Sequence, residues 1–426
     1  MRPLPRQKIY KIFYLDFLLS LFTFKLKKFN NVHNLENKIT DMTGSKYGLA
    51  VNKGRVGAYL AIKAIVKPNK NKIILSPFTI FDIVNMVICA GGIPVFADID
   101  KETLTIDYNN IKKNYSDDVA GIMITHNHKL NKDIDKIIAF KNKMQIPLIE
   151  DCAISFGTKY NNQYIGTLGD IGFYSFGMFK FVSSLNGGFL ITNNKEFYNS
   201  FLENSKNFEK PKIKDLLKNF FKALNISFFT NKIIFNHFTS YIIKFGYLRK
   251  IEIINNFSKN DPEVKKLSVF PDEYKIKISN YQTSSIIKQF STLQKNQSIR
   301  KNNAKLYYNG LKSINEIIIP QYVDNNSDGW INFPIQYKNR DDLLNFLFIN
   351  NRDIAKYFYR NCNELSIFSK YKKNIENIKD VVKELIMLPT YPGYDKKQIN
   401  QNIETIKKYF ELLKEKNNVH TSQKYK

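Results

Sequence analysis

Residues 146–192 read IPLIEDCAISFGTKYNNQYIGTLGDIGFYSFGMFKFVSSLNGGFLIT, and this stretch decides the fold. Three short apolar runs in it, bounded by Gly, Pro or Asn, predict β-strands over residues 147–150, 172–176 and 188–192. Asp151 follows the first run, and Lys180 follows the second in a loop that leads to a Gly-Gly turn. Because ligands bind at the carboxyl ends of parallel strands, the segment predicts a functional site at this sheet edge.

The residues before this segment alternate between short apolar runs and longer stretches of helical spacing. Strands are predicted over residues 73–76, 94–97 and 121–125, and helices over 55–66, 81–90 and 133–143. Strands separated by helices at this interval imply parallel pairing through right-handed crossovers, which gives an α/β layered sheet. The apolar runs KIIL and GIMI are typical of buried parallel strands.

The residues after this segment predict further units. A long helix over 279–311 is followed by a strand in WINFPIQY, a helix in RDDLLNFLFINN, a strand in ELIMLP and a closing helix in KKQINQNIETIKKYFELLKE. We therefore divide the chain into a basic N-terminal arm (1–30), a large domain (31–204), a helical insertion (205–272), and a long helix with a small C-terminal αβ domain (273–426).

The composition excludes some classes of protein and leaves others open. With 43% hydrophobic and 14% aromatic residues among 426, the chain is too apolar to be disordered. The net charge of +27 suggests a polyanionic partner, but no nucleic-acid-binding motif is present, so we expect no nucleic acid. The charge is concentrated: residues 1–30 hold seven basic residues against one acidic, and residues 205–272 hold thirteen against six. A general bias of the sequence towards Lys, Asn and Ile explains part of this positive charge equally well.

The cysteines and histidines indicate a compartment rather than a metal site. The three cysteines are widely spaced and form no C-x-x-C pair, which favours a reducing cytoplasm over a secreted disulfide scaffold. The five histidines are too scattered for a zinc site, and we expect no metal. The sequence shows neither a convincing signal peptide nor an uncharged apolar run long enough to span a membrane.

Asp151 and Lys180 together suit pyridoxal phosphate. The carboxylate would pair with the pyridinium nitrogen and make the ring an electron sink, and the lysine would form the Schiff base with the aldehyde. Once released, the same lysine can move a proton between substrate and cofactor carbons. The residues alone leave alternatives open, because an Asp after a strand is often a helix cap and a loop Lys is usually solvated.

Two further features are consistent with a phosphate site. The segment NKGRVG, which includes Gly54, Arg55 and Val56, opens a predicted helix, and a glycine turn at a helix N-terminus is a phosphate seat. Ser175 would add a hydroxyl to the same phosphate. Taken alone, Gly before a helix is commonplace, and the Ser175 hydroxyl is about equally suited to capping its own strand end.

At this point the sequence resembles the DegT/StrS family of sugar aminotransferases, which are pyridoxal-phosphate enzymes of aspartate-aminotransferase-like fold type I. The resemblance covers roughly residues 31–200 and 273–412. It rests on segments in the right order and spacing: SPFTIFDIVNMVICAGGIPVFADIDKETLTID, ITHNH with His126 ending its strand, IPLIEDCAISFG, GTLGDIGFYSFGMFKFVSSLNGGFLIT, and LPTYPGYDKKQINQNIETIKKYF.

The resemblance implies the following site and assembly. Lys180 would carry the cofactor covalently and act as general acid and base, and Asp151 would pair with the pyridinium nitrogen. The phosphate cup would consist of the backbone of Gly54, Arg55 and Val56 with the Ser175 hydroxyl, and the Arg55 side chain would either reach the phosphate or point elsewhere. The chain would be a homodimer in which Lys275 of the neighbouring subunit takes the place of the family's phosphate-binding Asn.

Several positions depart from the family pattern. Ile154 stands where the family commonly has a Gln that touches the ring hydroxyl, and Gly177 stands where it commonly has His. The aromatic residue that stacks on the pyridine is not at its usual place, which is Ile80, so Phe78 and Phe81 are the candidate substitutes.

The resemblance implies an aminotransferase that moves an amino group from glutamate or glutamine to a keto sugar, nucleotide-linked, for surface glycan biosynthesis. Family members that act as sugar dehydratases carry His in place of the lysine, so Lys180 favours amino transfer. A dehydratase of the same fold is one alternative, because a lysine at this position does not by itself prove amino transfer. A non-catalytic relative with a membrane-binding or partner-binding role is another, and Ile154 and Gly177 favour it.

Residues 205–272 match nothing in the core family pattern. In KDLLKNFFKALNISFF, large apolar residues recur at helical spacing, with lysines on another side. One interpretation is a helical insert that packs on the protein itself or on a dimer partner. The other is an interfacial helix on an anionic membrane, a character that residues 1–30 share. The predicted location is therefore the cytoplasm, with peripheral contact to the inner face of the membrane as an option.

Overall fold

The computed structural model describes residues 18, 30–178, 180–249, 251, 263–324, 327–352, 354–356 and 360–424. The predicted N-terminal arm lies almost entirely outside these residues. None of the described helices combines the length and the apolar character that a membrane span requires.

The large domain alternates helices and strands, as the sequence predicts. Its helices are α1 (Asn30–Thr43), α2 (Gly54–Ile65), α3 (Phe81–Cys89), α4 (Tyr108–Lys113), α5 (Ile134–Met144) and α6 (Lys195–Ser205). Its strands are β1 (Tyr47–Val51), β2 (Lys72–Leu75), β3 (Phe78–Thr79), β4 (Ile93–Phe96), β5 (Val119–Thr125), β6 (Leu148–Asp151), β7 (Lys159–Tyr160), β8 (Gln163–Tyr164), β9 (Ile171–Ser175) and β10 (Gly188–Thr192).

Seven of these strands form the central sheet, in the order β1-β10-β9-β6-β5-β2-β4. The five strands from β9 to β4 are parallel. Strand β9, predicted over 172–176, continues the parallel pattern, whereas β10, predicted over 188–192, runs antiparallel to β9, and β1 runs antiparallel to β10. The described residues between β9 and β10 form no helix, so the crossover that parallel pairing needs is missing there. The predicted α/β class with a mostly parallel sheet is confirmed.

The sheet is buried on both faces, because helices cover each side. One apolar cluster contains α2 and α3 with one side of the strands, including Val56, Leu60 and Phe173. The other contains α1 and α5 with the opposite side, including Leu35, Ile137 and Phe189. Burial on both faces explains why the strand sequences are almost continuously apolar.

The insertion is helical, as the lysine-rich aromatic stretches predict. It contains α7 (Ile213–Phe229), α8 (Lys232–Ile234), a π-helical turn (Phe235–Thr239) and α9 (Ser240–Leu248). The inner face of α7 packs on the large domain.

The C-terminal part follows the predicted order of elements. It contains α10 (Asn280–Leu311), β11 (Asn332–Gln336), α11 (Arg340–Ile349), β12 (Ala355–Lys356), β13 (Arg360–Asn361), α12 (Asn377–Glu384), β14 (Leu385–Pro389) and α13 (Lys396–Lys424). Helix α10 begins with a capping box between Ser279 and Gln282. Its N-terminal half packs in the large domain through Ile286 and Leu293, and its C-terminal half packs in the small domain's core through Tyr307 and Leu311. The two cores therefore share one long helix.

Candidate active site

The ends of three neighbouring strands bring distant parts of the sequence together. In the sheet register, Ser175 lies opposite Gly188, and Gly188 lies opposite Val51, the residue just before the turn that opens α2. A Cβ added at Gly54 would lie 2.7 Å from the Ser175 Cβ, and one added at Gly188 would lie 2.7 Å from the Gly54 nitrogen. Both positions therefore require glycine because backbone and strand ends approach too closely for a side chain.

The N-terminus of α2 forms a concave backbone seat beside Ser175. The helix begins at Gly54 with Lys53 as the N-cap residue, whose side chain makes no capping hydrogen bond. The Val56 N–H donates to the Lys53 carbonyl oxygen at 3.1 Å. Of the three predicted N–H donors, Val56 is thus engaged within the turn, and Gly54 and Arg55 are best placed to donate to an anion. The helix dipole favours negative charge there.

The Arg55 side chain contacts two residues that come from other elements. Its Nη1 forms a close ion pair with Asp82 and donates a hydrogen bond to the Tyr274 hydroxyl at 2.9 Å. Of the two directions considered for this side chain, the structure shows the one in which its charge is shared with a carboxylate. The charge of Arg55 also reaches the site, because it helps to lower the pKa of Lys180.

Lys53 supplies a second cation at this place, and the sequence reasoning missed it. Its Nζ lies 4.2 Å from the centre of the Tyr274 ring. Burial, followed by the charge of Arg55, lowers the pKa of Lys53 to about 8. The signal available in the sequence was its position immediately before the glycine of the helix-opening turn.

Asp151 and Lys180 are close enough to influence each other electrostatically. Burial raises the pKa of Asp151 to about 6, against the opposing effects of a hydrogen bond from the Ala153 N–H and the charges of Lys180 and His126. Burial lowers the pKa of Lys180 to about 8, opposed by Asp151 and assisted by Arg55. A buried carboxylate and a lysine that loses its proton near neutral pH are the groups expected of an acid-base site.

His126 joins this pair and was quoted only as part of a motif, not as a site residue. It follows β5, and its backbone N–H donates to the Asp151 carbonyl oxygen at 3.0 Å. Its Nε2 lies 2.8 Å from Glu150 Oε2, while Nδ1 is buried without a hydrogen-bond partner among the described residues. The carboxylate of Glu150 fixes the orientation of the ring. The sequence signal was a histidine directly after a strand that neighbours the one ending in Asp151.

His126, Glu150 and Cys152 place their ligand atoms within 4.8 Å of one another, a proximity that the scattered histidines of the sequence do not suggest. Glu150 also accepts hydrogen bonds from the Gly166 and Gly169 N–H groups, at 3.0 and 2.6 Å. Burial raises the pKa of the Cys152 thiol well above its ordinary value. The Glu150 carboxylate thus holds His126 and two backbone N–H groups, while the protonated Cys152 thiol donates to the Glu150 backbone carbonyl oxygen.

The loop that carries Lys180 is fixed from both ends. The Lys180 N–H donates to the Gly177 carbonyl oxygen at 3.1 Å. On α10, Gln289 bonds both backbone groups of Ser183, at 3.0 and 2.6 Å, and the Gln282 amide donates to the Asn186 carbonyl oxygen at 2.6 Å. The two glutamines lie two helical turns apart on one face of α10 and hold the loop against it.

The two departures from the family pattern have different structural settings. Ile154 is buried in the second apolar cluster, so no polar group is offered from that position. A Cβ added at Gly177 would lie 3.8 Å from Ser175 Oγ and 3.9 Å from Lys180 Cγ. The glycine therefore leaves open the space beside the lysine that a histidine would enter.

The remaining candidates lie apart from this cluster or in its wall. Phe81 is buried at the start of α3, with Phe78 in the same apolar cluster. Lys275 is exposed and forms an ion pair with Asp272 at 2.8 Å. A role for Lys275 in a neighbouring subunit's site stays a prediction.

The residues present fit pyridoxal phosphate. The glycine-lined seat at Gly54, which a Cβ would fill, suits a phosphate, with the Ser175 hydroxyl and Lys53 nearby. Asp151 is a buried carboxylate suited to a ring nitrogen that carries a proton, and Lys180 is an amine with a lowered pKa suited to an aldehyde.

Comparison with known protein families gives one match over most of the chain. The sequence model of the DegT/DnrJ/EryC1/StrS aminotransferase family matches residues 21–210 and 247–407. The two matched ranges leave out residues 211–246, which hold most of the insertion's helices.

Individual relatives agree with this match. The chain is 31% identical over 171 residues to GDP-perosamine synthase of Escherichia coli O157:H7, a stretch that covers 40% of this chain and 47% of that protein. The chain thus aligns with less than half the length of the curated relatives it matches.

Among solved structures, the aminotransferase from Psychrobacter cryohalolentis superposes with a TM-score of 0.74 over 96% of this chain and 98% of that one, at 17% identity. The Escherichia coli GDP-4-keto-6-deoxy-D-mannose-3-dehydratase superposes with a TM-score of 0.73 over 95% and 99%, at 18% identity. These likenesses confirm the predicted fold.

Proposed function

The chain belongs to the DegT/DnrJ/EryC1/StrS aminotransferase family, and on that premise we propose that it is a pyridoxal-phosphate-dependent aminotransferase. In this proposal the amino group passes from glutamate or glutamine to a keto sugar for surface glycan biosynthesis. The observation that carries the proposal is the convergence of Asp151, Lys180, Ser175 and the Gly54 turn at one edge of the sheet.

The cofactor and its site residues are part of the proposal. Bound pyridoxal phosphate would supply an electron sink that stabilises negative charge at the substrate carbon. Gly54, Arg55 and Ser175 bind and orient the phosphate, and Lys53 adds positive charge near it. Asp151 keeps the ring nitrogen protonated, and His126, fixed by Glu150, lies beside that carboxylate.

In this proposal Lys180 transfers the proton between the substrate carbon and the cofactor carbon. With a pKa of about 8, its amine is largely protonated at pH 7 but gives up the proton readily. General acid-base catalysis is most effective when the pKa of the group lies near the working pH. Because the Lys180 loop is held against α10 through Gln282 and Gln289, the amine returns to one place after each transfer.

A dehydratase of the same fold is the second candidate, and a dehydratase is among the superposing structures. Family dehydratases have His where this chain has Lys180, which supports amino transfer. Gly177 stands where the family commonly has His, so neither reaction has an imidazole at that position beside Lys180.

The partners and the location belong to the same proposal. The acceptor is a nucleotide-linked keto sugar, supported by the relative whose name gives a GDP-linked product. The enzyme is a cytoplasmic homodimer, with Lys275 reaching the neighbouring subunit's phosphate. Residues 205–272, and with them residues 1–30, make peripheral contact with the inner face of the membrane.

The experiment is a label transfer. The purified protein, loaded with pyridoxal phosphate, is incubated with ¹⁵N-glutamate and GDP-4-keto-6-deoxymannose, and the sugar nucleotide is analysed by mass spectrometry. Appearance of ¹⁵N in the sugar supports the proposal, and a Lys180→Ala variant must not produce it. Loss of water from the sugar without label supports the dehydratase. Absence of both reactions with this and other keto sugars, in a protein that binds no cofactor, contradicts both.

A further inference from the structure

The insertion exposes large apolar side chains in an ordered arrangement. On α7, Phe221, Leu224 and Phe228 follow one another at helical spacing, and their exposed fractions are 56%, 39% and 57%. From the π-helical turn into α9, the same spacing recurs in a second set that is 54% to 65% exposed: Phe238, Tyr241, Ile242 and Phe245. We call these seven side chains the insertion surface. Within each set the exposed apolar side chains are neighbours along the helix, and such patches mark interaction sites.

The insertion surface is not an unfilled part of the core, because each helix already buries another face. Leu216 and Phe220 of α7 pack with Leu185 of the loop that carries Lys180. Phe235 and Ile243 pack with Phe348 of α11. Both helices are thus anchored to the protein by one face while the other faces outward.

Positive charge flanks the insertion surface. Residues 205–251 contain ten Lys and Arg but only two acidic residues. Lys214, Lys218 and Lys222 are exposed and repeat every four residues, which places them in a row alongside the apolar row of α7. A row of lysines next to a row of Phe and Leu is the arrangement of a helix that lies in a membrane interface.

We propose that the insertion surface docks on an anionic lipid bilayer, with the apolar side chains in the headgroup boundary and the lysines against lipid phosphates. We choose an anionic bilayer as the occupant because its negative charge complements the lysines beside the insertion surface. A second copy would bring a like-charged surface to the same place, because a twofold interface uses the same patch on both subunits. Residues 1–30 would also bring like charge, with seven basic residues against one acidic. The inference rests on the proposed membrane contact of residues 205–272 and is independent of the proposed transfer reaction.

The test is flotation of the full chain with vesicles of phosphatidylcholine alone and of phosphatidylcholine mixed with phosphatidylglycerol. We expect binding to the anionic vesicles that weakens as salt increases. Replacing Phe228, Phe238 and Phe245 by Ser should lower the partition coefficient by more than about tenfold. Lys214→Gln, Lys218→Gln and Lys222→Gln together should lower it by roughly 100-fold.

Matched control variants show whether vesicle binding depends on the insertion surface or only on the overall charge and hydrophobicity of the chain. Lys407→Gln, Lys408→Gln and Lys414→Gln remove three charges from exposed positions of α13, and Ile318→Ser with Val323→Ser removes two exposed apolar side chains elsewhere. Both control variants should bind vesicles as the unaltered chain does. Far-ultraviolet circular dichroism and urea denaturation check that every variant folds.

Three results would overturn the proposal. One is no binding to either kind of vesicle. The second is equal loss of binding in the control variants. The third is a concentration-dependent oligomer, measured by sedimentation velocity, that the Phe variants dissolve without any vesicle binding, because a second copy would then be the occupant. Label transfer is assayed without vesicles in each variant, so a failed transfer reaction is recognised separately from failed docking.

Discussion

The edge of the central sheet and the insertion use exposed and buried side chains in opposite ways. At the sheet edge, polar groups such as Asp151 and His126 are buried at 3% and 1% exposure on an apolar scaffold. In the insertion, apolar groups such as Phe228 and Phe238 are exposed at 57% and 65% on a lysine-rich scaffold. Each region places side chains where folding alone disfavours them.

The two regions are suited to different functions, the sheet edge to chemistry on a small molecule and the insertion to contact with a partner. A buried charge loses hydration, which perturbs its pKa and prepares it for chemistry on a small molecule. An exposed aromatic side chain keeps its contact with water in the folded chain, so it gains free energy only when a partner covers it. Described residues between 31 and 204 expose few large apolar side chains, Ile93 and Leu202, whereas ten are exposed between Ile213 and Phe245. The two proposed functions therefore rest on different parts of the chain.

The largest expected effect is on the sheet-edge side of the comparison. Lys180→Ala should lower transfer activity by at least about 10³-fold, since a positioned acid-base group alone contributes about 10²–10⁴-fold. Initial rates of ¹⁵N transfer measure this. Lys195→Ala, which removes an exposed lysine at the start of α6, is the matched control and should retain full activity. Comparable loss in both variants would contradict the assignment of Lys180.

A smaller effect is expected from removing a phenyl group that the sheet buries. Phe173 lies in β9 and is fully buried in the first apolar cluster. Phe173→Ala should lower the free energy of unfolding by about 3–5 kcal/mol, because it removes buried area and leaves a cavity. Urea denaturation followed by circular dichroism measures the change. A loss below about 1 kcal/mol would show that the sheet tolerates the cavity and that burial there is less critical than proposed.

The next effect concerns the cost of burying Asp151. Burial raises its pKa to about 6 in the folded chain, from an ordinary value of 3.8. The folded state therefore holds the proton more tightly than the unfolded chain, and the ionised carboxylate destabilises the fold progressively as pH rises from about 4 to about 6.

Asp151→Asn should remove that cost, so the cofactor-free variant should be more stable than the unaltered chain at pH 8, by up to about 3 kcal/mol. The difference should disappear below about pH 4, where both states of the unaltered chain are protonated. Urea denaturation across this pH range tests it. A variant that is less stable at pH 8 would mean that Lys180 and His126 offset the burial cost more than the pKa implies.

The smallest effect is expected from the same phenyl deletion on the insertion surface. Phe238→Ala should change the free energy of unfolding by less than about 0.5 kcal/mol, because the side chain already contacts water. The changes in the free energy of unfolding of Phe238→Ala and Phe173→Ala can then be compared directly, since both variants lose the same phenyl group. A loss of several kcal/mol would show that Phe238 is covered within the protein itself, and the comparison would fail.

Much of the large domain could be predicted from the sequence, because its signals are local. The strand predicted over 188–192 coincides with β10, and the predicted helices agree with α2, α3 and α5 within one or two residues. Glycine and proline bound these runs, and strands buried on both faces are continuously apolar. The order of Asp151 and Lys180 after their strands then followed from the sequence.

The features that could not be predicted from the sequence depend on contacts between residues far apart in the chain. Strand β1 lies between turns at Gly44 and Gly54, but its antiparallel pairing with β10, more than 130 residues away, has no local signal. The direction of Arg55 was undecided because its partners, Asp82 and Tyr274, come from other elements. The helices of the insertion were predictable from their period, but which of their faces would remain exposed was not, because that depends on where Leu185 and Phe348 lie in space.

Helix α7 contacts the loop of Lys180 with one face and carries part of the insertion surface on another. Binding at one of these two faces can therefore be coupled thermodynamically to binding at the other. Met178 and Leu185 of that loop pack with Leu216 and Phe220 of the helix. If lipid contact favours one position of α7 by a given free energy, linkage requires that a ligand favouring the same position bind more tightly by an equal amount. The lipid composition of the surface would then act as an effector of the sugar site, and the sugar site as an effector of lipid affinity.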